Sequence, residues 1–134
     1  MCGRYSSDLQ WEDFAKLYDL SKQGPRPAWN FAPSYNVCPT DRVPVIVAND
    51  DGRQLAVMRW GLVPNWWSKP LKDMRMSTFN ARAETVAEKP LFRDAFRRSR
   101  CLLPASGYYE WLETADGKQP YYFSRRDGQP LGRP

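Results

Sequence analysis

Apolar positions recur along this chain in two rhythms. Between Asp8 and Leu20, residues Leu9, Phe14, Leu17 and Tyr18 fall on one face of a 3.6-residue period. That spacing predicts a helix packed on a core, opened by Ser7 and Gln10 as a capping box. Elsewhere the rhythm is that of strands. Cys2 to Ser6 reads as a short strand, and Val43 to Ala48 is a β-branched run that returns as Gln54 to Trp60 across an Asn49-Asp50-Asp51-Gly52 turn. Cys101 to Pro104 reads as a buried strand. Tyr108 to Leu112 and Pro120 to Phe123 form a second hairpin around Ala115-Asp116-Gly117. Lys89 to Arg98 is a short helix with Phe92 and Phe96 one turn apart. Prolines at 25, 27 and 33 make Lys22 to Pro33 a loop, and Gly61 and Pro64 leave Trp66 and Trp67 in irregular structure.

Composition narrows the class. A chain of 134 residues is expected to be one domain, burying roughly two-thirds of the surface its unfolded form exposes. Its many aromatic side chains argue against disorder. The net charge of +5 permits an anionic partner without requiring one. Three widely spaced cysteines give no disulfide framework or CxxC metal site to read, and with no histidine a zinc site is not expected. With no apolar run long enough for a signal peptide or a membrane span, the expectation is a cytoplasmic protein with reduced thiols and no membrane partner.

Some positions carry chemistry. If Met1 is removed, Cys2 presents an α-amine beside a thiol. The α-amine pKa of about 8, against about 10.4 for lysine, leaves much more of it neutral and nucleophilic at cellular pH. Such a group condenses with an aldehyde to an imine, and the adjacent thiol closes a thiazolidine ring intramolecularly. On position alone, a cysteine that merely stands second is the better reading. Glu110, between Tyr109 and Trp111, is either an exposed strand residue or a desolvated general acid-base, and spacing alone favours exposure. Arg93, Arg97, Arg98 and Arg100 form a basic side on the short helix, more often a solvated face than a phosphate site.

Several motifs in order complete the picture: Met1-Cys2-Gly3-Arg4-Tyr5, Tyr35-Asn36-Val37 with Pro39, Trp60-Gly61-Leu62-Val63-Pro64 with Trp66-Trp67, Asn80-Ala81-Arg82-Ala83-Glu84, Arg100-Cys101-Leu102, and Gly107-Tyr108-Tyr109-Glu110-Trp111. Together they resemble the SOS response-associated peptidase family of abasic-site processing proteins, over nearly the whole chain. The resemblance implies an α+β fold, a β-barrel-like sheet with peripheral helices. It implies binding to single-stranded DNA or its junctions with duplex, and a thiazolidine crosslink between Cys2 and the ring-opened abasic aldehyde that protects the lesion.

By the same resemblance Asn80 positions the terminal amine or the sugar, and Glu110 shuttles protons. Arg4 and Arg82 hold flanking phosphates, Trp66 and Trp67 stack on bases or wedge the duplex, and Asn36 and Pro39 line the pocket. No cofactor or metal is implied, and the working unit is expected to be a monomer, nucleoid-associated in a bacterium. Family chains are longer and carry a later His-Asp-Arg motif. This sequence is therefore expected to be a partial domain lacking C-terminal strands. Two alternatives stay open: a cysteine peptidase confined to removing its own Met1, and an inactive fragment that still binds DNA. Cys38 adds a second thiol near the expected pocket, for packing or as a target of oxidants.

Overall fold

A computed structural model describes residues 2–20, 23 and 25–132, so the expectation about Met1 lies outside the described residues. The elements in order are β1 (Tyr5–Ser7), α1 (Trp11–Tyr18), β2 (Ser34–Val37), β3 (Arg42–Asn49), β4 (Gly52–Arg59), a turn of 3-10 helix at Leu71–Asp73, α2 (Arg93–Arg98), β5 (Gly107–Thr114) and β6 (Gly117–Ser124). They build a four-stranded sheet ordered β2-β1-β5-β6 and a two-stranded ribbon of β3 and β4. All these pairings are antiparallel. A bridge between Ile46 and Leu102 links the two, and they do not close into a ring among the described residues. The protein is a small α+β fold of antiparallel sheets and few helices.

The ribbon is buried on both faces because its side chains alternate. Ile46 of β3 and Leu55 of β4 pack with Phe14, Tyr18 and Phe31, while Val43 and Val45 turn the other way against Tyr5, Val37 and Ala105. Helix α1 supplies the first cluster from the predicted face: Phe14 and Tyr18 are fully buried, and Leu9 and Leu17 pack beside them. It starts later than expected. Ser7 belongs to β1, Gln10 is the N-cap, and the Asp13 carboxylate accepts the Gln10 N–H at 2.8 Å, so the box sits three residues further on. The helix ends at Asp19, which takes a left-handed conformation at φ 51°.

The basic helix is shorter than expected, because the chain from Lys89 makes only turns before α2 begins. The buried strand expected over Cys101–Pro104 is not there. Leu102 alone pairs with Ile46, Cys101 and Leu102 are exposed, and Pro104, which has no N–H to donate, is the buried member.

Strand β5 holds the sheet together. Tyr5 pairs with Tyr108 on one side, and Tyr108 with Phe123 on the other. Its root, Gly107, is buried, whereas every residue from Trp111 to Ser124 is exposed. Among the described residues β6 is an outer edge of the sheet, with Pro120 in register opposite Trp111.

Candidate functional site

The site grows from a stack of aromatic rings beneath β1. Tyr5 is buried and meets Trp60 edge-on at 5.2 Å between centroids, and Trp60 meets Phe79 in the same way at 6.3 Å. The Trp60 indole N–H donates to the Phe79 carbonyl at 3.3 Å. This braces the 79–80 segment under the start of the chain. The next side chain, Asn80, then donates its amide N–H to the Cys2 carbonyl at 2.7 Å, across 78 positions of sequence. A residue that would otherwise fray is thereby held by its own backbone.

The Cys2 thiol lies 3.7 Å from the Arg4 carbonyl, and that carbonyl also accepts the Tyr109 N–H at 2.9 Å. The opening residues are thus laid along the root of β5. Glu110 follows Tyr109, and its face is settled by alternation. Tyr108 lies opposite Tyr5 and packs against the second core cluster, so Glu110, two residues on, shares that inward face. It is half-buried and paired in register with Tyr121. The exposed reading favoured by spacing fails because β5 is exposed only beyond it.

Arg4, just before β1, is half-buried and donates to the Asn36 side-chain oxygen at 2.6 Å. Asn36 is exposed, so the pair presents a guanidinium and an amide on the sheet surface. Pro39 is half-buried in a tight connection. Thr40 takes φ 81°, the Asp41 carboxylate accepts the Cys38 N–H at 2.9 Å, and Thr40 and Asp41 each exchange a backbone bond of 2.8 Å with Trp60. Asp41 and Trp60 were missed as supports from sequence. The signal for Trp60 was its place at the head of a motif, whereas Asp41 had none. Burial, helped by Asp41 and then Cys2, pushes the Tyr5 hydroxyl far above its usual range, so it stays protonated.

The remaining expected residues lie apart from this cluster. Arg82 is exposed in the turn after Asn80, where its carbonyl accepts the Thr85 N–H at 3.2 Å. Trp66 and Trp67 pair edge-on at 6.4 Å in the loop after β4. Trp66 is 55% exposed, and Trp67 is half-buried, its indole N–H without a partner among the described residues. A cleft of about 320 Å3 separates the Trp66 loop from α2, with Asn65 and Arg98 among its walls. The Cys38 thiol donates to the Asn36 carbonyl two residues back at 3.4 Å, and all three cysteines are free. No cluster of metal-binding side chains occurs among the described residues.

Comparison with known proteins bears on the family of the whole chain. The family model for SOS response associated peptidase (SRAP) matches residues 1–132. The abasic site processing protein HMCES of Xenopus tropicalis is 38% identical over 141 aligned positions, covering 91% of this chain and 42% of its own length. The abasic site processing protein YedK of Escherichia coli is 33% identical, covering 98% of this chain and 57% of its own length. A crystal structure of a protein from Bordetella bronchiseptica superimposes with a TM-score of 0.76 at 26% identity, covering 98% of this chain and 61% of that one. The chain thus spans about half the length of the curated relatives it matches. With the family model covering the whole described length, and Cys2, Asn80 and the root of β5 converging on one point, the chain belongs to the SOS response associated peptidase family.

Proposed function

We propose that this chain processes abasic sites in DNA, capturing the ring-opened aldehyde with Cys2 once Met1 is removed. The observation that carries this reading is the 2.7 Å hydrogen bond from Asn80 to the Cys2 carbonyl, which holds the first reactive residue beside the root of β5. The α-amine attacks the aldehyde carbon, water leaves as the imine forms, and the Cys2 sulfur adds to the imine carbon while its proton passes to nitrogen. The product is a thiazolidine, with no net oxidation.

Asn80, bonded to the Cys2 carbonyl, positions the terminal amine or the sugar through its amide. Glu110, half-buried near the root of β5, takes and returns the protons needed for sugar ring opening and loss of water. Recognition rests on backbone rather than base. Arg4 and Arg82 suit phosphate oxygens, Asn36 and Pro39 shape the entrance, and Trp66 with Trp67 stacks on unpaired bases, each stack worth roughly 1 to 3 kcal/mol. The partner is single-stranded DNA or its junction with duplex, bound by one copy of the chain.

The test is incubation with a single-stranded oligonucleotide bearing one abasic site, followed by a denaturing gel and peptide mass mapping. A heat-stable shifted band that maps to Cys2 supports the proposal. No Cys2-dependent band overturns it.

A further inference from the structure

A trough of about 540 Å3 lies between β3 and α2, well away in sequence from Cys2 and Asn80. Its apolar lining includes Val47, Ala48, Phe96 and Leu102, and its charged lining residues are Arg53 and Arg100, with no carboxylate among the residues that line it. Phe96 and Leu102 are 41% and 37% exposed, so the wall is apolar surface left facing water.

One wall is also an open strand edge. Ile46 exchanges both backbone hydrogen bonds with Leu102, each 2.9 Å, so residues of its parity point N–H and C=O away from β4. Ala48 shares that parity, is exposed, and has no backbone partner on this side among the described residues. Pro44, two residues before Ile46, has no N–H to offer. The open edge therefore falls at Ala48, inside the trough.

We propose that this trough docks an extended acidic peptide segment of a partner protein. The peptide backbone pairs with the Ala48 edge, an apolar side chain seats against Phe96 and Leu102, and carboxylates meet the guanidinium groups of Arg53 and Arg100. Three features select this occupant. An edge with donor and acceptor free at Ala48 suits a peptide backbone, a wall of aliphatic and phenyl groups suits an apolar side chain, and two lining arginines with no carboxylate in the lining suit carboxylates. Arg53 keeps donors beyond the one it gives the Tyr18 carbonyl at 3.4 Å. The basic side of α2 gains a role in this way, since Arg100 closes it next to the apolar wall. The inference does not depend on Cys2 chemistry.

Cys101 lines the trough and reports on its occupancy, although packing around its sulfur raises its thiol pKa. The experiment uses the whole chain and a short fluorescein-labelled peptide of aspartate and glutamate carrying one leucine and one phenylalanine. Binding is followed by fluorescence polarisation, and the alkylation rate of Cys101 is followed by mass spectrometry. The expected result is saturable binding that protects Cys101, weakened roughly tenfold by Arg100→Glu and similarly by Arg53→Glu. Arg100 is exposed, so its variant keeps the fold, and a matching circular dichroism melt checks it. A lysine-rich peptide of the same apolar content binding as well overturns the proposal. So does protection of Cys101 by a thymidine oligonucleotide, by self-association at high protein concentration, or by nothing.

Discussion

The two ends of β5 carry similar residues and live in different surroundings. At the root, Gly107 is buried, and a Cβ built there would meet the Tyr122 ring and lie 2.6 Å from the Phe123 carbonyl. The buried Ser6 hydroxyl and the Tyr122 hydroxyl share a hydrogen bond of 2.8 Å across the same spot. At the tip, Trp111 and Leu112 are exposed, as are Pro120 and Gln119 opposite them on the returning strand. Glu110 sits at the boundary. The difference teaches that aromatic alternation makes a hairpin, whereas what lies under it decides whether a residue can do chemistry. The root has β1, Trp60 and Asn80 against it; the tip has only its partner strand.

The largest test of this contrast is Cys2→Ala. Crosslinking to abasic single-stranded DNA should fall to background on a denaturing gel while the melt stays unchanged, because all the reactivity is assigned to the root. Gly107→Ala comes next. Overpacking at the buried root should cost about 1 to 3 kcal/mol in a urea melt. A full-stability alanine variant would mean that the root is less tightly closed than its geometry says.

Asn80→Ala removes one donor to the Cys2 carbonyl and should slow crosslinking by roughly tenfold, as expected for about 1.4 kcal/mol of lost positioning, with a smaller change in DNA affinity. An equal loss in both would point to a collapsed site. Tyr5 sharpens the contrast through pH. Its folded pKa lies above the unfolded value of about 10, so its contribution is complete below pH about 10 and is lost as pH rises from there towards the folded value. Tyr5→Phe should flatten the alkaline limb of a stability-against-pH curve and leave neutral crosslinking intact. The smallest effect belongs to the tip, where Leu112→Lys should shift stability by no more than about 0.5 kcal/mol in the same melt.

Local pattern was enough for α1, both hairpins and the loop position of the tryptophans. The capping box slipped by one turn because Ser7 and Gln10 both satisfy the motif, and only pairing with β2 and β5 assigns Ser7 to a strand. The apolar run at Cys101 looked buried because hydrophobicity says nothing about whether a second strand lies alongside, and here β3 meets it for one residue. Glu110 needed the register of β1 against β5, a long-range quantity absent from any window of sequence. The bond between Asn80 and the Cys2 carbonyl spans 78 positions, and no window of sequence shows it; the motifs offered Asn80 only as a partner of the terminal amine or the sugar.

Pro120 has a consequence for assembly. Tyr109 gives its N–H to Arg4, so 107, 109 and 111 face β1, while 108, 110 and 112 bond to their opposite numbers 123, 121 and 119 on β6. Pro120 faces outward, where its missing N–H costs the hairpin no bond. A strand arriving from outside would find a gap halfway along the edge. The proline therefore disfavours pairing of a further strand at this point of the edge.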